Sequence, residues 1–118
     1  MKYYKGLGTS NEKEAVQYFS KIEHHRITFD YIDNRDSDAI ELCFNKKMAD
    51  KRKEWLAEYD PEIFVNHSVK NISYHDFVNL EYIHYSNSDN IRSIPSIVDG
   101  MKPGQRKILF SCFKKKLV

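Results

Sequence analysis

The stretch Ile91-Arg-Ser-Ile-Pro-Ser-Ile-Val-Asp-Gly-Met-Lys-Pro-Gly-Gln-Arg-Lys-Ile-Leu-Phe110 constrains the possible fold more than any other part of the chain. It carries two of the three prolines, two of the four glycines and four closely spaced basic residues. Asp99-Gly100 predicts a turn. Pro103 stands where a helix can begin, because its missing N–H is one that a first helical turn leaves unused. Beyond it Ile108, Leu109, Cys112 and Phe113 recur at helical spacing, while Lys102, Arg106, Lys107 and Lys114 lie off that stripe. The prediction is a turn followed by a helix with a cationic face and an apolar face that anchors it in a core. Such a helix can hold cations beside phosphates, yet an ordinary surface helix with solvated lysines has the same pattern. Charge alone leaves both readings open.

At 118 residues the chain suffices for one small domain and is short for two. Its 14% aromatic content argues against disorder. The net charge of +2 is too small to imply a nucleic-acid partner by itself. The distribution says more, since from Ile91 onward seven Lys or Arg face a single acidic residue, Asp99. Cys43 and Cys112 sit apart in apolar helical patterns and read as reduced core thiols rather than a disulfide or metal pair. No apolar run reaches membrane-spanning length and no secretory signal follows Met1, which predicts a soluble, intracellular chain without a membrane partner.

Along the chain, Lys2-Tyr3-Tyr4-Lys5 reads as a short strand ending in Gly6-Leu7-Gly8. A glycine turn before a helix exposes N–H groups that can hold an anion, although most such turns only connect a strand to a helix. Asn11 with Glu14 fits a capping box, with Thr9 and Glu12 as the alternative register. Ala15, Val16, Phe19 and Ile22 then form the stripe of an amphipathic helix running to about Glu23. Arg26 to Ile32 alternates and predicts a strand. Asp33 to Asp38 is a polar turn that caps the next helix.

That helix is expected to be the longest, from about Asp38 to Tyr59. Ile40, Phe44, Met48, Trp55, Leu56 and Tyr59 mark its buried side; Lys46, Lys47, Lys51, Arg52 and Lys53 lie opposite, with Asp50 pairing Lys46. Asp60-Pro61 ends it, and an irregular or partly extended connector leads to Asn71. Ser73 and Asp76 then give a helix start signal. The helix they open carries Phe77, Val78, Leu80, Ile83 and Tyr85 and ends near Ser86 to Asn90.

No self-contained reaction centre emerges. Asp30, Asp33, Asp36 and Asp38 lack a metal-ligand spacing and read as turn and cap residues. His24, His25, His67, His75 and His84 lack a zinc spacing, so no metal ligand is assigned. Neither a nucleophile elbow nor a phosphate-binding Gly-Lys-Ser/Thr loop is present. None of the eight tyrosines is marked as a nucleophile by its spacing. The residues make a platform of cations.

The motifs also carry a resemblance. Lys2-Tyr-Tyr-Lys-Gly-Leu-Gly-Thr-Ser10, followed by Glu14-Ala15 and Tyr18-Phe19, resembles the motif that ends the metal-binding Toprim region of eukaryotic-type (type IIA) DNA topoisomerase II. Phe44-Asn-Lys-Lys-Met-Ala-Asp-Lys-Arg-Lys-Glu-Trp-Leu56 resembles that family's long linking helix. Phe77 to Ser86, Asp89-Asn90-Ile-Arg-Ser-Ile-Pro-Ser96 and Asp99-Gly-Met-Lys-Pro-Gly-Gln-Arg-Lys107 resemble the start of its winged-helix DNA-cleaving domain. In bacterial gyrase-like enzymes the Lys-Gly-Leu-Gly and Asp-Gly-x-Lys-Pro motifs sit on separate subunits. Their union here resembles the fused, single-polypeptide type of eukaryotes and some large DNA viruses. Leu80-Glu81, Tyr82-Ile-His84 and Met101 depart from the family's usual residues.

The resemblance implies an α+β, helix-dominated fold. Residues 1–36 would be the tail of a Toprim-like region, 37–72 the linking helix and connector, and 73–118 the start of a winged-helix domain. It implies a fragment of an ATP-dependent enzyme that breaks both strands of double-stranded DNA through a phosphotyrosyl bond and reseals them. The parent would be a nuclear homodimer using Mg²⁺ and ATP, neither held by this chain, with the remainder of the polypeptide as partner and a viral or organellar origin left open. Arg92 would support the transition state, and Lys102, Arg106, Lys107, Lys5, Gly6 and Gly8 would lie at the DNA. Asp99 would orient a neighbouring basic group. Alone, the fragment is expected to be inactive. The alternatives are a free-standing, non-enzymatic DNA-binding module and a structural linker whose basic faces are merely solvated.

Overall fold

The structure, a computed structural model, describes residues 10–66 and 68–117. The expected first strand, with Lys5, Gly6 and Gly8, lies outside the described residues. From Ser10 onward the fold is helix-dominated with one two-stranded sheet.

Helix α1, Glu12–Ser20, opens with the predicted box: Asn11 Oδ1 accepts the Glu14 N–H at 2.9 Å, and Glu14 Oε2 accepts the Asn11 N–H at 2.9 Å. Two of its four orphan donors are thus satisfied locally. The helix stops at Ser20, and Ile22–His25 form a separate turn, α2. The expected apolar stripe is not buried against the rest of the chain, and Phe19 is 73% exposed.

Strand β1, Thr28–Asp30, is shorter than predicted. It pairs in parallel with β2, Asn71–Ser73, in the register Thr28 to Asn71, Phe29 to Ile72 and Asp30 to Ser73. The end of the connector, expected to be irregular or partly extended, therefore closes the sheet. Phe29 packs edge-on against Phe77 and stacks on Tyr74, joining the sheet to the helix that follows.

Helix α3, Asn34–Phe44, is capped by Asp33, whose Oδ1 accepts the Arg35 N–H at 2.8 Å. The single long helix predicted from Asp38 to Tyr59 is broken at Asn45, where the backbone turns extended. Asn45 Oδ1 caps the next turn by accepting the Lys47 N–H at 2.9 Å, a local bond that competes with helix continuation. The Arg52 guanidinium donates to the carbonyls of Leu42 and Asn45 at 3.0 and 2.8 Å, taking up the Leu42 oxygen at the broken helix end and joining the Met48 N–H on that of Asn45. After a tight 3₁₀ turn at Lys46–Met48, α4 runs from Ala49 to Ala57. Because of the break, α3 turns Ala39, Leu42 and Cys43 to the core, and the expected core residue Phe44 is 67% exposed. Asp50 pairs with Lys53 at 2.7 Å, not with Lys46.

Ser73 caps α5, Tyr74–Phe77, as predicted, its Oγ accepting the Asp76 N–H at 3.0 Å. The helix then widens into a π-turn over Val78–Tyr82 and continues as α6, Ile83–Ser93. The predicted stop at Ser86 to Asn90 is overrun because Asn90 still sits a turn inside the helix, its carbonyl accepting the Ile94 N–H at 3.0 Å. Ala39, Trp55, Val78 and Ile83 form the core, with Leu42, Leu56, Tyr59 and Phe77 packed around it. His84 pins the connector, joining Tyr59 Oη through Nδ1 at 3.1 Å and the Ile63 carbonyl through Nε2 at 2.8 Å, with Phe64 stacked on its ring.

Asp36 fixes the corner. It is 2% exposed, and its carboxylate accepts N–H groups from His75 at 2.7 Å, Ile32 at 2.8 Å and Asp33 at 3.2 Å. Those bonds, the His75 N–H foremost, hold its pKa below the usual carboxylate range. The stabilisation is therefore complete above the range in which an unfolded Asp titrates and fades as pH falls through the lowered native value. Asp36→Asn should lower the urea midpoint at pH 7, with the deficit shrinking in acid. Ile83→Ala should cost about 2–5 kcal/mol at either pH. Equal Asp36→Asn deficits in both conditions would contradict the assignment.

Candidate nucleic-acid interface

The last turn of α6, the loop 94–102 and the start of α7, Pro103–Lys114, build the cationic region. Arg92 sits in the final turn of α6, where a cation complements the partial negative charge of a helix C-terminus. Its Nε donates to the Ser88 carbonyl at 3.3 Å, and the residue is half-buried. Ile94 precedes Pro95 and is extended, which ends the helix.

The loop closes on itself. Gly100 N–H donates to the Ser96 carbonyl at 2.8 Å, and Ser96 N–H donates to the Met101 carbonyl at 3.0 Å. Gly100 takes the left-handed conformation, φ 66°, in the predicted Asp-Gly turn. Asp99 then ties the loop to α7. Its Oδ2 accepts Arg106 Nε at 2.6 Å, and its Oδ1 accepts Arg106 Nη2 at 2.8 Å and the Met101 N–H at 3.0 Å. This planar fork, with a further Nη2 bond to the Met101 carbonyl at 3.2 Å, fixes geometry in a way a lysine could not. The Arg106 guanidinium, helped by the Met101 N–H, holds the Asp99 pKa down to about 2.

Pro103 occupies the first position of α7 as predicted, and Gln105 Oε1 accepts the Lys102 N–H at 2.9 Å. Arg92, Lys102 and Lys107 line one cleft between α6 and α7, floored by Pro103, Gly104 and Gln105. The cleft thus gathers three cations at the N-terminus of α7, where the partial positive charge of the helix end also favours an anion. Arg106 points to Asp99 and does not line it. Gln105 was absent from the residues singled out by sequence, although a Gln at the third position of a Pro-started helix is a capping signal. The apolar stripe of α7 is not the anchor it was expected to be: Ile108 and Phe113 are exposed, and Cys112 is half-buried. Among the described residues no group of three or more His, Cys, Asp or Glu could hold a metal ion. No helix there is long and apolar enough to cross a membrane.

A family model described as the C-terminal associated domain of TOPRIM matches residues 1–90. A second family model, for the A subunit of DNA gyrase/topoisomerase IV, matches residues 92–118. DNA topoisomerase 2 of Plasmodium falciparum is 52% identical over 117 residues, covering 99% of this chain. DNA topoisomerase 2-beta of Homo sapiens is 53% identical over 127 aligned residues, covering 98%. The chain spans 8% of the length of each of these relatives. The crystal structure of the Plasmodium falciparum topoisomerase II DNA-binding, cleavage and re-ligation domain superposes with a TM-score of 0.73 at 52% identity. That match covers 98% of this chain and 16% of that one.

The Asp99 clamp has a direct readout. The Asp99 carboxyl should titrate by NMR near pH 2. In Arg106→Ala the midpoint should rise toward the usual carboxylate range. The clamp is intact above that range and opens only as pH falls toward the lowered value. A midpoint that does not move in Arg106→Ala would show that the pairing is not maintained in solution.

Proposed function

Because the chain belongs to the TOPRIM C-terminal associated domain family, in its eukaryotic-type DNA topoisomerase II branch, we propose that it is a central piece of a type II DNA topoisomerase. It would join the tail of the Toprim region (1–36) through a linking part (37–72) to the start of the winged-helix DNA-cleavage domain (73–118). The parent is proposed to be a nuclear homodimer that cuts double-stranded DNA through a phosphotyrosyl bond, passes a second duplex and reseals the first, using Mg²⁺ and ATP. Among the described residues no group of three or more His, Cys, Asp or Glu could hold a metal ion, and the roles assigned below are ones of charge and position.

The convergence of Arg92, Lys102 and Lys107 on one cleft at the start of α7 carries this reading. A duplex backbone presents regularly spaced phosphates, and contacts of this kind fix its register without reading sequence. Arg92 would stabilise the charge that builds on the scissile phosphate as the tyrosine attacks, a role that needs a donor held in place beforehand. Lys102 and Lys107 would bind flanking phosphates. Arg106 would support them by holding the loop through Asp99, the orienting residue. Lys5, Gly6 and Gly8 would face the same DNA from the Toprim side.

In the complete polypeptide, Arg92→Ala should lower DNA cleavage about 10²–10³-fold, as loss of one preorganised donor does elsewhere, with duplex affinity little changed. Lys102→Ala should instead weaken duplex binding and reduce the slope of log affinity against log salt by about 0.9. The 118-residue chain alone should neither nick nor relax plasmid DNA. Metal-dependent relaxation by the purified chain, abolished by Arg92→Ala, would overturn its reading as a piece of the enzyme. Strong, salt-sensitive duplex binding by the chain alone, lost in Lys102→Ala, would favour a free-standing DNA-binding module instead.

A further inference from the structure

Val78 and Ile83, both in the core, are five residues apart on what would otherwise be one continuous helix, and Val78 is only 1% exposed. At 3.6 residues per turn, five steps leave two side chains about 140° apart. A straight α-helix therefore cannot point both residues into one core. The π-turn at Val78–Tyr82 solves this, because its wider i to i+5 spacing brings the fifth residue back over the first. The chain holds one residue more than an α-helix could place here, and the turn absorbs it.

Asn79 is the stitch in that turn. Its Nδ2 donates to the His75 carbonyl four residues back at 2.9 Å, and its Oδ1 accepts Trp55 Nε1 from α4 at 2.9 Å. One side chain thus supplies an extra donor to the helix where its ladder changes pitch and ties that point to the buried indole. The upstream end cannot rotate to compensate, since α5 is fixed by Asp36 on the His75 N–H and by Ser73 on the Asp76 N–H. Any loss of the turn must rotate α6.

Arg92 lies nine residues beyond Ile83, which places it about 180° around α6 from the core-facing side. With Ile83 in the core, Arg92 faces the α7 cleft. We infer that Asn79 is a positioning residue: by holding the π-turn it sets the rotation of α6 and so delivers Arg92 to the cleft shared with Lys102 and Lys107. This rests on the proposed role of Arg92 for its functional consequence, but not for its geometry. Without the turn, α6 would rotate by about 100° for the one unabsorbed residue and carry Arg92 out of the cleft.

The test compares substitution with deletion. Asn79→Ala keeps the extra residue and loses the stitch. Deleting Asn79 removes both, leaving Val78 and Ile83 four apart, about 40° from alignment on a straight helix. Both variants lose the Trp55 bond, so any difference between them reports register rather than stability. Asn79→Asp, which keeps an acceptor for Trp55 and loses only the amide donor, serves if Asn79→Ala does not fold. Structures of the variants should show Arg92 displaced from the cleft in Asn79→Ala or Asn79→Asp and returned to it by the deletion. In the complete polypeptide, DNA cleavage should fall toward the Arg92→Ala level with either substitution and recover with the deletion. The inference is overturned if both substitutions leave Arg92 in place, or if the deletion displaces Arg92 or fails to fold. If Arg92 moves and returns as expected while cleavage stays constant, the positioning stands and the proposed role of Arg92 falls.

Discussion

The fold depends on one buried carboxylate. Asp36 gathers three backbone N–H groups: from Ile32 in the loop after β1, from Asp33 at the cap of α3, and from His75 in the first turn of α5. A carboxylate removed from water is tolerable only when its lone pairs are taken up, and here the bonds that stabilise the charge also set the fold. They bring the start of α5 against α3, so that Val78 meets Ala39 and Trp55 in the core. They also fix the end of a helix whose far end carries Arg92. The path from a cap residue to the guanidinium at the α7 cleft is thus a chain of hydrogen bonds and helix geometry.

The core built on that corner is small for the chain's length. The radius of gyration is 18.6 Å, against about 13–14 Å for a compact domain of this size. Apolar side chains on α1 and α7 remain in the open, among them Val16, Phe19, Phe110 and Phe113. Segments so sparsely packed have little holding them but their own caps, and the structure concentrates local devices there. The Asn11–Glu14 box secures α1; the Asp99–Arg106 fork, Pro103 and Gln105 secure α7. By contrast α3, α4 and the α5–α6 helix share one hydrophobic cluster.

What the sequence made legible follows the same division. Signals that act over three or four residues appear where they were read: the Asn11 and Ser73 caps, the Asp33 turn, the Asp99-Gly100 turn and the proline start of α7. They could be read because each donor and acceptor lies within a turn of its partner. The features that were missed depend on residues distant in the chain. Asn45 breaks the long helix with help from Arg52, whose bond to Leu42 spans ten residues. Strand β2 is three residues long and exists because β1 lies beside it. At the π-turn, Trp55 bonds Asn79 across 24 residues. A five-residue spacing of core residues, Val78 to Ile83, was the one available clue to it, and a reading tuned to three- and four-residue spacing passes over it. At the site, the motif order named the basic residues. It could not show that Arg106 turns to Asp99 while Lys107 joins Arg92 and Lys102.

That last division has an electrostatic logic. Beyond Ile91 the only acidic side chain is Asp99, and the bidentate bond commits it to Arg106. The remaining basic residues of the segment, Arg92, Lys102, Lys107 and the run Lys114 to Lys116, have no acidic partner within it. Had Asp99 been free to move, it could have neutralised Lys102 three residues away and weakened the cleft's field. Locked in a fork with a guanidinium that cannot deprotonate, it instead stiffens the loop on which Lys102 sits. The one negative charge is arranged so that the cations lining the cleft keep their attraction for an anion, and that attraction extends over about a Debye length of 8–10 Å at ordinary salt. A polyanion such as a duplex backbone, with charges spaced closer than that length, would meet Arg92, Lys102 and Lys107 as one site.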